Sequence, residues 1–294
     1  MMRKIINVLA FIIFLLPLAA VSAEADVMVV AINVNTAPVI DGRMSDDAWS
    51  QAREVIVHDP IAEHNIALKA VYTEKNIYFL VRYPDPDESR LHKPWHWSSE
   101  TSQYEMGPER EDVFVFKWLM SPEAADLSIY SNDSWQADVW YWKANRTDPA
   151  GFADDKIQTL LTSPFQRTFP VISRSGVKRY LLRKGDMGHS AYKSVMHLDY
   201  IGDLFPQYEV MAPTGSRADI RAKGEWSNGE WCIEFGRPLS TTHNDDIQFD
   251  INGRYLFGVS RFEIAGRKPD PGISQPLYGC GDVSAKMTLV FNRE

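Results

Sequence analysis

Apolar residues recur at every second position through much of this chain, and that period of two confines it largely to strands. Ile66, Leu68, Ala70 and Tyr72 sit at alternate positions, Thr73 to Asn76 make a turn, and Ile77, Phe79, Val81 and Tyr83 resume the alternation. Successive side chains of a strand point to opposite faces, so each run buries one face and the pair reads as a hairpin. Further strands are expected over Val113 to Met120, Asp138 to Lys143, Ile220 to Trp226, Trp231 to Phe235, Leu256 to Ile264 and Lys286 to Phe291. Asn228-Gly229 between two of them is a strong short-range hairpin signal, because both residues accept positive φ.

Helices are expected to be few and short. Ser45 can cap a turn or two through Asp46, Asp47 and Trp49, where acids suit the helix dipole. Ala153 to Leu161 is the second helical candidate. Many short strands with few crossover helices predict an all-β fold, an antiparallel two-sheet β-sandwich with long functional loops.

The N-terminus reads as an export signal over residues 1–23. Arg3 and Lys4 precede an apolar run from Ile5 to Val21, and Val21-Ser22-Ala23 supplies small residues for cleavage. Pro17 and the shortness of the run disfavour a permanent spanning helix. Residues 24–294 then form a single domain, expected to be periplasmic or otherwise exported, with no membrane contact after cleavage. The chain carries 31 Lys and Arg against 39 Asp and Glu, a formal charge of −8. That acidity disfavours nucleic acid and anionic lipid as partners, since both would be repelled, and no nucleic acid partner is expected.

Cys232 and Cys280 are expected to pair in an oxidising compartment. Neither belongs to a CxxCH motif, which excludes covalent c-type haem. Signatures of catalysis (GxSxG, HExxH, a P-loop, GxGxxG after a strand) are missing too, so no autonomous enzyme is expected. Neighbouring acid pairs such as Asp154-Asp155, Asp245-Asp246 and Asp46-Asp47 point to opposite faces when on strands, which argues against catalytic dyads. His92 and His96 have i, i+4 spacing, but Pro94 between them breaks any helix that would align them.

Two long connections carry unusual composition. Pro84 to Gly107 holds His92-Lys93-Pro94-Trp95-His96-Trp97, and Thr162 to Ser216 holds Met187, His189, Met196 and His197. Phe114, Phe116, Trp118 and Met120 fall on one face of a strand at period two. Core packing is the ordinary use of such a stripe. Its aromatic surface and terminal thioether also suit the edge of a porphyrin with Met as an axial ligand.

A longer pattern adds to this. Ala137-Asp138-Val139-Trp140-Tyr141-Trp142-Lys143-Ala144, followed by Asn145-Arg146-Thr147-Asp148-Pro149-Ala150-Gly151-Phe152-Ala153-Asp154-Asp155, resembles the IWxWKAxRTxPxGxADD stretch of ethylbenzene-dehydrogenase-related haem-binding domains. Val39-Ile40-Asp41-Gly42 through Ala48-Trp49, Gly107 to Asp112, Glu234 to Leu239, Thr242 to Phe249 and Phe257-Gly258-Val259 agree in the same order.

The resemblance implies a sandwich related to family-9 carbohydrate-binding modules. It also implies a haem b held between a Met and a Lys, as in the haem subunits of molybdenum enzymes of the dimethyl-sulfoxide-reductase type. The implied partner is a redox protein, either such a molybdenum subunit or a multihaem cytochrome. The family's Met-bearing loop corresponds to Ser121 to Trp135, which has no Met, so Met120 is the nearest substitute. The expected C-terminal Lys has no counterpart in Pro271 to Cys280, which leaves Lys268 as the closest, with His243 next. Two alternatives share this sandwich: a sugar binder stacking on Trp95, Trp97 and Trp135, and an accessory subunit without ligand.

Overall fold

The structure is a computed structural model that describes residues 27–59, 64–262 and 286–293. The first third of the described chain forms β1 (Val27–Asn33), α1 (Asp47–Gln51), β2 (Val55–Asp59), β3 (His64–Tyr72), β4 (Asn76–Pro84), β5 (Trp95–Ser98) and β6 (Gln103–Met106). Then come β7 (Val113–Ser121), β8 (Trp135–Lys143), β9 (Asp154–Leu161), β10 (Phe169–Ile172), β11 (Lys178–Gly185), β12 (Tyr192–Ser194), β13 (Leu204–Phe205) and β14 (Tyr208–Val210). The chain closes with β15 (Arg221–Ser227), β16 (Glu230–Pro238), β17 (Tyr255–Phe262) and β18 (Met287–Phe291).

These strands make a two-layer sandwich. One layer runs β10-β11-β9-β8-β7-β17-β18-β1 and the other β1-β3-β4-β16-β15, with β2 against β3. The first strand joins the layers: Val27 to Ala31 pair with β18, then Ile32 and Asn33 pair with β3. Both of its pairings are parallel, so the sandwich is antiparallel except at this corner. Asn228 and Gly229 turn the β15–β16 hairpin with φ of 53° and 78°, as a two-residue loop between right-twisted strands requires.

The alternation seen in the sequence is what packs the layers. Phe79 of one layer stands 5.1 Å from Phe116 and 5.3 Å from Trp118 of the other, and Phe235 stands 5.1 Å from Phe116. Fully burying each such side chain is worth about 1.5–3 kcal/mol. The opposite face of β7 is covered as well. Val113, Val115 and Leu119 pack with Leu127, Ile129, Val139 and Leu160 in a second core beneath residues 122–134. Lys117 lies fully buried on that face, its Nζ donating to the Leu127 carbonyl at 3.1 Å and capping the Trp135 ring.

Two local expectations change. The first helix does form over Asp47–Gln51, but Asp46 rather than Ser45 occupies the cap position. Residues 154–161 are a strand, not a helix, pairing with β8 on one side and β11 on the other. Two ladders of neighbouring backbone outweigh the high helix propensity of Lys, Gln and Leu. The long connections also hold strands: β13-β5-β6 form a small three-stranded sheet and β12-β14 a pair. Among the described residues no helix is long and apolar enough to cross a membrane.

Candidate functional site

Met120 departs from its stripe. The β7–β8 register shifts between Leu119 and Ser121, so Met120 is the extra residue of a bulge. A bulge re-aims the side chain it contains. Phe114, Phe116 and Trp118 stay fully buried between the layers, while Met120 is half-buried on the wall of a cleft of about 340 Å³. Leu119, Ile247, Tyr255 and Leu256 give that cleft its apolar surface, and Arg254, Glu123, Asp246 and Gln248 its polar one.

The loop through residues 241–248 links this cleft to a buried ionic centre. Arg237 of β16 is fully buried and donates to Asp138 Oδ2 at 3.0 Å and to the Ile247 carbonyl at 2.9 Å. Asp246 Oδ2 lies 3.5 Å from the same guanidinium. The Ile247 amide donates to Asp138 Oδ2 at 3.0 Å, while the Ser216 and Thr241 hydroxyls donate to Asp246 at 2.9 and 2.5 Å. Arg237 thus ties β16, β8 and the loop together beside Trp140 and Phe249, over whose rings it sits.

His243 stands on the outer side of that loop. Its Nδ1 is 2.6 Å from Asp219 Oδ2 and 3.9 Å from Asp246 Oδ2. The hydrogen bond to Asp219 holds the imidazolium above its ordinary range, with Asp246 and Asp245 adding to the effect. Nδ1 of His243 is taken up by this hydrogen bond to Asp219. The His243 ring is not part of the cleft that Met120 lines. Lys268 and Cys280 lie outside the described residues; Cys232 is half-buried in β16, its thiol pushed up to about 12 chiefly by burial.

Several motif residues serve as fasteners. Asp148 Oδ1 accepts the Trp142 indole N–H at 2.9 Å and the Gly224 amide at 2.7 Å, and its other oxygen pairs with Arg90 at 2.8 Å and Lys223 at 3.0 Å. Glu111 accepts the amides of Asn145 and Arg146 at 2.7 and 3.0 Å. His92 and His96 go separate ways, the first 3.4 Å from Glu111 and the second 3.0 Å from Glu109. Trp135 is not a loop residue but the first of β8 and 2% exposed, so it offers no face to a sugar. Trp95 donates to the Val195 carbonyl at 2.8 Å, and Trp97 meets Tyr104 and Tyr200 edge-on.

Fold and geometry define an all-β sandwich with a thioether-lined cleft next to a buried ionic centre. The chain belongs to the ethylbenzene dehydrogenase family, which matches residues 46–268. A comparison with curated proteins returns no match. Among solved structures it is similar to a family-9 carbohydrate-binding module from Caldicellulosiruptor kristjanssonii in complex with glucose. That likeness is at 11% identity and TM-score 0.40, covering 92% of this chain and 96% of the module. A candidate carbohydrate-binding protein from Bacteroides uniformis is similar at 8% identity and TM-score 0.41, covering 91% of this chain and 99% of that one.

Proposed function

We propose that this protein is an exported, non-catalytic electron-transfer module that holds haem b at the Met120 cleft and hands electrons to a redox partner, a molybdenum enzyme subunit or a cytochrome. The observation that carries this reading is the bulge, which takes one thioether out of an otherwise aromatic core stripe and sets it on an accessible wall. A soft sulfur donor beside an apolar wall is chemistry that suits a haem iron.

The residues present suit the group. Met120 supplies sulfur, Leu119, Ile247, Tyr255 and Leu256 supply apolar contact for a macrocycle, and Arg254 supplies a cation for a propionate. Lys268 is the second axial donor in this reading. The haem would supply reversible one-electron chemistry; the protein positions it and limits water access.

Reconstitution tests this. Haemin titrated into the purified chain should saturate at one equivalent, and Met120→Leu, which keeps volume but removes the sulfur donor, should change the low-spin spectrum. Saturation with an unaltered spectrum in Met120→Leu would remove Met120 as a ligand, and failure to take up haemin at all would remove the function.

A further inference from the structure

Beside the haem cleft lies a set of acids for which the proposed function has no use. Asp138 of β8, Asp155 of β9 and Asp246 each place a carboxylate oxygen within 4.8 Å of the others, and all three are buried. Asp186, just after β11, joins them: its amide donates to the Asp155 carbonyl at 3.3 Å and its carboxyl lies against that of Asp155.

Their free oxygens matter most. Asp155 is 0% exposed and its Oδ2 has no hydrogen-bond partner. Asp186 is 6% exposed, and its oxygens and Asp138 Oδ1 meet no donor beyond the neighbouring carboxyl of Asp155. A buried carboxylate oxygen without a donor is costly to keep. Arg237 is the guanidinium facing this group, and it is engaged with Asp138 Oδ2 and Asp246. Asp245 and Asp219 add negative charge nearby, His243 is taken up by Asp219, and Lys156 of β9 turns instead to Asp154. With protein groups alone, burial and mutual repulsion hold Asp155 well above the usual carboxylate range and push Asp186 up to about 8.

We propose that Asp138, Asp155 and Asp246, with Asp186 at their edge against Asp155, form an inner-sphere site for one calcium ion that pins β8, β9, the end of β11 and the 241–248 loop together. An all-oxygen, carboxylate-rich donor set selects a hard cation, and calcium tolerates irregular geometry from several backbone segments better than magnesium does. The site is distinct from Met120 and stands or falls without the haem.

The test uses the whole exported chain at pH 8, stripped with chelator and scanned for thermal unfolding with and without calcium. Calcium at about a hundredfold excess over its Kd should raise Tm by roughly 5–10 °C. Asp186→Asn, at the least buried of the four, should fold and lose that response. Chelated protein whose Tm ignores calcium, and which Asp186→Asn makes more stable, would show instead that the acids share protons, and would overturn the proposal. An equal response to magnesium would overturn the choice of calcium.

Discussion

Trp49 Nε1 donates to Glu234 Oε1 at 2.7 Å across 185 residues of chain. The other oxygen of that carboxylate accepts the amides of Asp41 and Gly42, each at 2.8 Å. Two short motifs that look unrelated in sequence, Ile40-Asp41-Gly42 with Ala48-Trp49 and Glu234-Phe235-Gly236-Arg237, are therefore one latch. It fastens the segment between β1 and α1 to β16. Gly42 is held there at φ +87°, with the Glu225 amide 2.7 Å from where a Cβ would sit, so a side chain fits neither the conformation nor the space.

Glu234→Ala should leave an indole and at least two amides without an acceptor and cost about 3–5 kcal/mol. Glu234→Gln keeps one carbonyl oxygen and should cost about half as much. Urea unfolding of the two variants measures both; equal losses would show that charge, not the number of acceptors, holds the latch.

Gly224 lies under the Trp142 ring, where a Cβ would come within 2.4 Å of the indole. Gly224→Ala must displace Trp142, whose N–H is fixed by Asp148. Overpacking of this kind costs about 1–3 kcal/mol. Near-ultraviolet circular dichroism should report the moved indole alongside the lower unfolding midpoint, and a wild-type spectrum would contradict the contact.

His92 supplies a pH dependence. It is buried, and desolvation with Arg146, Lys93, Arg110 and Lys143 nearby lowers its pKa from 6.5 to about 2. In the unfolded chain it takes up a proton as pH falls through 6.5, whereas in the folded chain it stays neutral. The unfolded state thus binds more protons between these values, so stability is complete above pH 6.5 and falls with acidification at about 1.4 kcal/mol per pH unit. His92→Gln should lack this contribution, a difference in slope worth about 1.5 kcal/mol between pH 6.5 and pH 5. Parallel stability curves for the variant and the parent would contradict it.

Local alternation made the β3–β4 hairpin, the Asn228-Gly229 turn and the aromatic core stripe legible from sequence, because each depends on neighbours in the chain. The same rule separates Asp154 from Asp155: Asp154 turns to Lys143 at 2.5 Å, while Asp155 turns to Asp138 on the other side. Residues 154–161 have helical propensity but form a strand, because their pairing comes from β8 and β11, which propensity does not see. Met120 reaches the cleft through a bulge that a strict period of two cannot anticipate. The sequence offers Asp155 and Asp246 only as halves of neighbouring acid pairs; the buried cluster is not legible there because its members come from four separate stretches.

Replacing Met120 with Ala should free the bulge side chain's place on the cleft wall and leave the fold close to intact, since the residue is half-buried. Truncation at such a site costs about 1 kcal/mol. A much larger loss in thermal unfolding would mean that Met120 belongs to the core.

The absorption spectrum of the purified protein bears most directly on haem binding. A Soret band that shifts and sharpens on addition of dithionite, with separate α and β bands in the reduced state, is the predicted result. Colourless protein that stays colourless after incubation with haemin would contradict it.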